Sequence, residues 1–337
     1  MKRIPSLDGL RAISITLVVL CHLVKWNHID LPFPRVYGTL GVRIFFLLSG
    51  FLITKLLLRE YERTETISLR EFYIRRAYRI LPAALVYLLV VAVIFWHEMR
   101  WYDIAAAALY VANMQASLPW MLGHLWSLSI EEQFYLLWPF ALKTWFRRRT
   151  AMLIGVFAFT PVFMTALYVF HARGGVVSSL PVYADGLAIG CLLAIFAPRI
   201  PRVPGYIAVF MTAAIFLVPL FPANNPPKTL FQLFVLQPLL QISIAGVVLH
   251  VIQVPYRFLN WGPVSWLGKI SYSLYLWQEV FCSNPSLKLG YSLALLAVGA
   301  ACLSYYFVEQ PMLRLREKRA QQDQPMVAAL EETSSAA

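Results

Sequence analysis

One apolar stretch near the N-terminus carries two ionisable residues, Arg11 and His22, eleven positions apart. On a helix that spacing is about three turns, so the two side chains share nearly one face and lie roughly 16 Å apart along the axis. His22 then falls near the middle of a hydrocarbon layer about 30 Å thick. An ionisable group there is costly unless it faces protein or water, so His22 is a candidate proton acceptor. The structural alternative is a histidine hydrogen-bonded to a neighbouring helix.

A second polar group interrupts the next apolar run, from Gly41 to Phe51. Arg43 is a charge within or near the apolar layer and is a candidate for binding or orienting a substrate. Ser49-Gly50 places a hydroxyl beside a residue that lets another backbone approach closely. Small residues of this kind also serve helix packing, so a reactive and a packing role both remain open for this pair.

Three arginines lie in five positions where the third apolar run begins, within Phe72–Pro82. Arg75 and Arg79 are i,i+4 neighbours on one helix face, and Arg76 and Arg79 are i,i+3 neighbours. Membrane topology alone accounts for some basic residues at a helix end. Guanidinium groups also bind phosphates through paired hydrogen bonds, so the cluster predicts a phosphate-rich ligand.

Two adjacent carboxylates, Glu131 and Glu132, enter the fourth apolar run shortly after His124. Glu131 and Tyr135 are i,i+4 neighbours, so they share a face with each other but not with Glu132. A carboxylate that points into a helical bundle can orient a histidine or hold sugar hydroxyls.

The elements that position these residues are membrane helices. Of 337 residues, 59% are hydrophobic and only 14% are charged, which is outside the range of soluble globular domains. The apolar runs are continuous, so we predict an all-α, polytopic membrane protein. The net charge of +12 resides largely between these runs, which favours a lipid bilayer over nucleic acid as the partner. The four cysteines fit neither a metal-ligand spacing nor a disulfide framework.

Hydropathy predicts about ten spans. They cover 10–28, 37–58, 78–97, 125–145, 151–171, 180–197, 204–221, 230–253, 266–283 and 289–308. The stretch Ile104–Val111 is apolar but too short to span, so it lies at the interface or re-enters the protein. We predict a transmembrane domain over 1–315 and a disordered cytoplasmic tail over 316–337. Lys2-Arg3 and the first apolar run resemble a signal peptide, but no small-x-small cleavage site follows, which favours a retained helix.

The distribution of basic residues orients these spans. With the N-terminus in the cytoplasm, the inner loops carry Lys2, Arg3, Arg59, Arg63, Arg70, Arg75, Arg76, Arg79, Arg147, Arg148, Arg149, Arg199, Arg202, Arg257, Arg314, Arg316, Lys318 and Arg319. The outer loops carry only Lys25, Arg35, Arg100, Arg173, Lys228 and Lys288. This bias predicts that both termini are cytoplasmic.

Taken in order, the motifs resemble the transmembrane acyltransferase family 3, bacterial membrane-bound O-acyltransferases of envelope polysaccharides and related acceptors. The matching pieces are Leu7-Asp8-Gly9-Leu10-Arg11 with His22, Gly41–Phe51, Phe72–Pro82, Trp126–Tyr135, Ile270–Trp277 and Val308–Pro311. Two departures are evident. Family members often have a histidine after Tyr275-Leu276-Trp277, where this chain has Gln278. Some members continue into an extracytoplasmic SGNH-type domain, and we expect this chain to be a stand-alone form.

The resemblance implies transfer of an acyl group, most often acetyl, from cytoplasmic acyl-CoA to a hydroxyl of an envelope saccharide or related acceptor. It implies a multi-pass protein of the bacterial inner membrane, with acyl-CoA as a donor substrate and with neither a tightly bound cofactor nor a metal. On this hypothesis His22 is the general base, and Arg11 or Ser49 donates to the oxyanion. Glu131 orients His22 or the acceptor. Arg75, Arg76 and Arg79 hold the CoA phosphates, and Asp8, Arg43, Glu132 and Tyr135 bind or orient substrate.

Three alternatives remain open. The acyl group could pass through a covalent intermediate on His22 or Ser49. The protein could instead be a transporter or flippase for a lipid-linked saccharide or an anion, although it lacks an internal repeat and its arginines cluster at one face. The third alternative is a non-catalytic subunit of an envelope-assembly complex, for which an ionisable pair at membrane depth has no evident use.

Overall fold

The computed structural model describes residues 5–26, 36–171, 178–221, 225–284 and 292–319. Within these ranges every regular element is helical. The first half of the chain contains α1 (Pro5–Trp26), α2 (Val36–Thr64), α3 (Leu69–Ile94), α4 (Trp101–Ala108), α5 (Leu125–Thr144) and α6 (Arg149–Val169). The second half contains α7 (Leu180–Phe196), α8 (Gly205–Leu217), α9 (Pro226–Phe231), α10 (Gln237–Gln253), α11 (Gly262–Lys269), α12 (Ser271–Cys282) and α13 (Ser292–Ser304).

Six helical stretches in the described ranges are long and apolar enough to cross a membrane, and two shorter apolar helices accompany them. This confirms the prediction of an all-α polytopic membrane protein. Each predicted span coincides with helix, but the ninth, over 266–283, is wrong as a single rod. It is divided at Ile270 into α11 and α12, because the backbone of Ile270 departs from helical geometry (φ −83°, ψ 1°). The break brings Lys269 and Ser271 to the walls of two different cavities.

The first helix is the centre of the bundle. It packs against α2, α10, α11 and α12, and its apolar residues Ile15 and Leu23 are almost completely buried. Gly268 of α11 lies against the backbone of Asp8, where a β-carbon would collide with it. Arg11 and His22 of α1 line cavities within the bundle, as ionisable residues at this depth in a membrane require.

The most extensive contact between two helices in the described part of the chain joins α2 to α7. Two glycines make it possible. A β-carbon on Gly50 would collide with the backbone of Leu187, and one on Gly190 would collide with the backbone of Leu47. Such reciprocal small-residue contacts let two membrane helices approach backbone to backbone.

The segment between α3 and α5 folds back along α5. After α4 and Tyr110, the side-chain amide of Gln133 donates to the Tyr110 carbonyl at 2.9 Å, and the Ala112 N–H donates to the Ser129 hydroxyl at 3.2 Å. Ser129 and Gln133 lie in the first half of α5. The short apolar stretch predicted around Ile104–Val111 is therefore a short helix followed by a turn that packs along the bundle.

The last helix extends beyond the predicted end of the membrane domain. After α13, a π-helical turn over Tyr305–Glu309 leads into helix that continues to Arg319. Residues 316–319 are helical, so the prediction of disorder is wrong for them. Arg319 donates to the Tyr78 hydroxyl at 2.7 Å and anchors the end of this helix to α3. Residues 320–337, and the basic Lys2 and Arg3, lie outside the described residues.

Candidate active site

A cavity of about 550 Å³ opens at the end of the bundle where α1 begins. We call it the arginine-rich cavity. Its charged lining residues are Asp8, Arg11, Arg75, Arg76, Arg79, Lys269, Glu309, Arg316 and Glu317. The three arginines that the sequence grouped as phosphate ligands thus line one cavity. Six basic against three acidic side chains give its walls a positive balance, which suits an anionic ligand.

The three arginines have different surroundings. Arg75 is paired with Glu60 at 3.0 Å near the cavity rim. Arg76 reaches deeper, with its guanidinium 3.5 Å from the centre of the Tyr135 ring and its Nη2 atom 3.4 Å from Glu132 and 3.6 Å from Glu131. Because Arg76 is already engaged by two carboxylates, it is better placed to hold the protein's own groups than a phosphate.

A central cavity of about 80 Å³ lies deeper in the bundle and shares Arg11, Arg76 and Arg79 with the arginine-rich cavity. Its polar centre is Glu131, which accepts hydrogen bonds from the Ser49 and Tyr135 hydroxyls. The expected pairing of Glu131 with Tyr135 is therefore present. Ser49 joins this network, and its neighbour Gly50 packs against α7. The reactive role of Ser49 stays a prediction.

A third cavity, of about 370 Å³, surrounds His22 at the opposite end of α1. We call it the histidine cavity. Lys25, Thr39, His124 and Trp126 also line it, and it shares Val42 and Tyr275 with the central cavity. The three cavities therefore follow one another through the bundle, from the arginines at one face to His22 towards the other.

Two residues outside the expected set form the contacts of His22. Its Nδ1 atom lies 2.6 Å from the Gln278 side-chain oxygen and 3.1 Å from a Glu279 carboxylate oxygen. The same Glu279 oxygen is 4.0 Å from Nδ1 of His124. Sequence reasoning missed Glu279, although the signal that marked His22 was present: an ionisable residue inside an apolar run. Gln278 had been noted only as a departure from the family pattern.

The carboxylate beside His22 is thus Glu279 and not Glu131. Glu131 is engaged by Ser49, Tyr135 and Arg76 in the central cavity. Its role in orienting His22 or the acceptor stays a prediction, and its described contacts do not include His22. The role of Arg11 as an oxyanion donor also stays a prediction, which distance does not favour at His22. The two residues lie roughly 16 Å apart along one continuous helix, whereas a donor must lie about 3 Å from the oxyanion.

His124 is the most enclosed polar group of the histidine cavity, with only 5% of its surface exposed. Its ring meets Tyr87 edge-on at 5.6 Å and lies 5.1 Å from the Tyr275 ring. Neither ring nitrogen has a hydrogen-bond partner within the described part of the chain. The Tyr275 hydroxyl donates to the His124 carbonyl and lies 2.6 Å from the Ser127 hydroxyl, which fixes this wall of the cavity.

Arg43 is the candidate residue that lies apart from the cavities. It faces α7, where it lies 3.8 Å from Asp185 and 5.5 Å from the centre of the Tyr183 ring, and it lines none of the three cavities. The role of Arg43 in binding or orienting substrate therefore stays a prediction, without support from these three cavities. An arginine at this depth requires a counter-ion, and Asp185, which sequence reasoning missed, supplies it.

The remaining candidates, Asp8 and Glu132, line different cavities. Asp8 lines the arginine-rich cavity. Glu132 points away from Glu131, into a side cavity of about 360 Å³ that it shares with Tyr110 and Gln133. No group of three or more His, Cys, Asp or Glu side chains in the described ranges is placed to hold a metal ion.

Comparison with known sequences identifies the family. The profile of the acyltransferase 3 family, described as an acyltransferase domain, matches residues 4–310. The chain belongs to this family. It is 32% identical over 358 residues to the peptidoglycan O-acetyltransferase OatA of Listeria monocytogenes, covering 92% of this chain and 56% of OatA. It is 31% identical over 366 residues to YrhL of Bacillus subtilis, named as a candidate peptidoglycan O-acetyltransferase, covering 92% of this chain and 55% of YrhL.

The acyltransferase thus spans about half the length of the curated relatives that it matches. No solved structure matches it. Family membership confirms the resemblance drawn from the motifs.

Proposed function

We propose that this acyltransferase moves an acetyl group from acyl-CoA in the cytoplasm to a hydroxyl of an envelope saccharide that binds in the histidine cavity. The observation that carries the proposal is the series of three cavities along α1, joined first by Arg11, Arg76 and Arg79 and then by Val42 and Tyr275. An acyl-CoA molecule that binds at one face can extend its thioester end through the central cavity, while the saccharide acceptor approaches from the other face.

The arginine-rich cavity is the proposed donor site. Its volume of about 550 Å³ lies within the range of ligand pockets, about 300–1,000 Å³. Arg75, Arg79, Lys269 and Arg316 offer positive charge to the phosphates of CoA. The positive-inside bias of the sequence supports a cytoplasmic position for this face, on the side of the membrane where acyl-CoA is found.

His22 is the proposed general base. It takes the proton of the acceptor hydroxyl as the oxygen attacks the thioester carbonyl, and a tetrahedral oxyanion forms. The oxyanion then collapses, the carbon–sulfur bond breaks, and the CoA thiolate takes the proton from the imidazolium. The Thr39 hydroxyl, which lines the histidine cavity, is a nearer candidate for an oxyanion donor than Arg11.

The acceptor is proposed to be peptidoglycan or another envelope glycan. Two relatives carry peptidoglycan in their names, and both align over nearly all of this chain. The lining of the histidine cavity combines Trp126 with the polar side chains of Lys25, Thr39 and His124. An apolar ring beside several hydrogen-bonding groups is an arrangement that fits a sugar.

The test uses the purified full-length protein in lipid nanodiscs with acetyl-CoA and soluble peptidoglycan fragments. We expect release of the CoA thiol and fragments heavier by one acetyl group. Replacing His22 by Asn lowers the rate by about 10²- to 10⁴-fold, the usual contribution of a general base. His97→Asn is the matched control, since His97 is exposed in a short helical turn (Trp96–Glu98) outside the cavities.

Two results would contradict the proposal. One is a His22→Asn variant that transfers acetyl groups at the rate of the unaltered protein. The other is movement of a lipid-linked saccharide across the membrane of sealed vesicles containing the protein without any consumption of acetyl-CoA, which would favour a transporter.

A further inference from the structure

The hydrogen bonds around His22 have a fixed direction. Gln278 and Glu279 are neighbours on α12, and the Gln278 side-chain Nε2 donates to a Glu279 carboxylate oxygen at 3.1 Å. A carboxylate ion only accepts hydrogen bonds, so the amide must turn its nitrogen towards Glu279. The amide oxygen of Gln278 then faces Nδ1 of His22, at 2.6 Å.

Both neighbours of Nδ1 are therefore acceptors. The Gln278 oxygen lies at 2.6 Å and the Glu279 oxygen at 3.1 Å, so this nitrogen must carry the hydrogen. A neutral imidazole has one N–H and one bare nitrogen. In neutral His22 the bare nitrogen is consequently Nε2.

Resting on the proposed function, we propose that Gln278 is a positioning residue for His22. With Glu279 it holds the Nδ1–H tautomer, so that Nε2 is the atom that receives the proton of the acceptor hydroxyl. A wrongly tautomerised imidazole would present an N–H to the acceptor instead of a lone pair, and it could not act as a base.

Burial supports a specific role for the amide. Gln278 is completely buried, with 0% of its surface exposed, and Glu279 is 6% exposed. A polar side chain inside a membrane bundle is costly unless its hydrogen bonds are satisfied. Both ends of the Gln278 amide are satisfied, one by His22 and the other by Glu279.

The first test reads the tautomer directly. The full-length protein, labelled with ¹⁵N at histidine and held in nanodiscs, is studied by NMR, and the His22 signals are identified by their loss in His22→Asn. We expect a protonated Nδ1 and an unprotonated Nε2 in the unaltered protein. The opposite assignment overturns the proposal. This readout requires no turnover, so it stands even if acetyl-CoA proves not to be the donor.

The second test is kinetic and uses Gln278→Met, which keeps the length of the side chain but accepts no strong hydrogen bond. We expect a kcat about tenfold lower with an unchanged KM for acetyl-CoA, because Glu279 still holds Nδ1 in part. Gln241→Met is the matched control. Gln241 is also completely buried, and neither end of its amide has a partner within the described residues.

Gln278→Glu separates a hydrogen-bonding role from a packing role. The new carboxylate can still accept from Nδ1, so kcat returns towards that of the unaltered protein at alkaline pH. Glu279, His124, Lys25 and Tyr275 also face this ring or its cavity. A second carboxylate beside Glu279 adds negative charge next to the ring, so we expect the effect of this substitution on kcat to depend on pH.

Two further outcomes overturn the proposal. One is a Gln278→Met variant with unaltered kcat. The other is an equal loss of kcat in the Met and Glu variants at every pH while both variants unfold at the same temperature as the unaltered protein. Absence of acetyl transfer in the unaltered protein instead contradicts the proposed function and leaves the NMR result to decide the tautomer.

Discussion

At the scale of single residues, the polar centre of the bundle depends on shared contacts. Arg76 illustrates this, since one guanidinium stacks on Tyr135 and approaches both Glu131 and Glu132. A planar fork with several donors can satisfy all three partners at once, which a single ammonium group cannot. Arg76 therefore lies where the arginine-rich cavity meets the central cavity, since it lines both.

We expect Arg76→Lys to lower kcat/KM for acetyl-CoA at least tenfold, because the lysine keeps the charge but loses the stacking and the second carboxylate contact. Arg75→Lys is the control, since Arg75 makes one ion pair, with Glu60 near the rim, and a lysine can replace it. We expect the Arg75 variant to remain within about threefold of the unaltered protein. An equal loss of kcat/KM in the two variants, measured in nanodiscs, would show that the contacts of Arg76 matter no more than the single ion pair of Arg75.

At the scale of elements, the α2–α7 contact holds the central cavity in place. Ser49 faces Glu131 on one side of α2, while Gly50 meets α7 on another. The position of the Ser49 hydroxyl is thus set by how closely the two backbones approach. A substitution that changes the spacing between α2 and α7 therefore alters the central cavity, although it replaces none of the polar residues that line it.

We expect Gly50→Leu to destabilise the bundle by about 1–3 kcal/mol or more, because the added side chain collides with the backbone of α7 rather than with a movable side chain. Thermal unfolding in detergent measures this as a clear fall in the midpoint. Gly155→Leu is the control, because a β-carbon at Gly155 of α6 meets no atom within 4 Å. An unchanged midpoint for Gly50→Leu would show that α2 and α7 do not pack as described.

At the scale of the whole molecule, the two faces of the bundle differ in chemistry. Basic residues gather at the face where α1 begins and α2 ends, and His22 lies towards the other face. If the positive-inside bias orients the protein, the donor cavity opens to the cytoplasm and the histidine cavity to the envelope. In the proposed function, an acetyl group then passes through the protein while the rest of the donor remains in the cytoplasm.

Single cysteines introduced into a variant without its four native cysteines test this orientation. Glu62, near the end of α2, and His97, beyond the end of α3, are exposed at opposite ends of the bundle. We expect a membrane-impermeant maleimide to label His97→Cys in intact spheroplasts and to label Glu62→Cys only after permeabilisation. The reverse labelling would place the arginine-rich cavity outside the cell and contradict the donor assignment.

The sequence by itself determined the class and the outline of this protein. Continuous apolar runs require helices in a bilayer, so nearly every predicted span coincides with a helix. Ionisable residues inside those runs are rare and costly, so His22, Arg11 and Glu131 stood out as candidates. The ordered motifs predicted the acyltransferase family, which the family profile confirms.

Only the tertiary structure decided which of these residues meet. Helical periodicity gives the face of one helix, but it contains no information on the rotation or depth of the helix opposite. For this reason Glu279, from the ninth apolar run, and not Glu131 lies beside His22, and Arg43 turns towards Asp185. The break at Ile270 and the π-helical turn at Tyr305–Glu309 are likewise features that the hydropathy pattern did not predict and that only the tertiary structure shows.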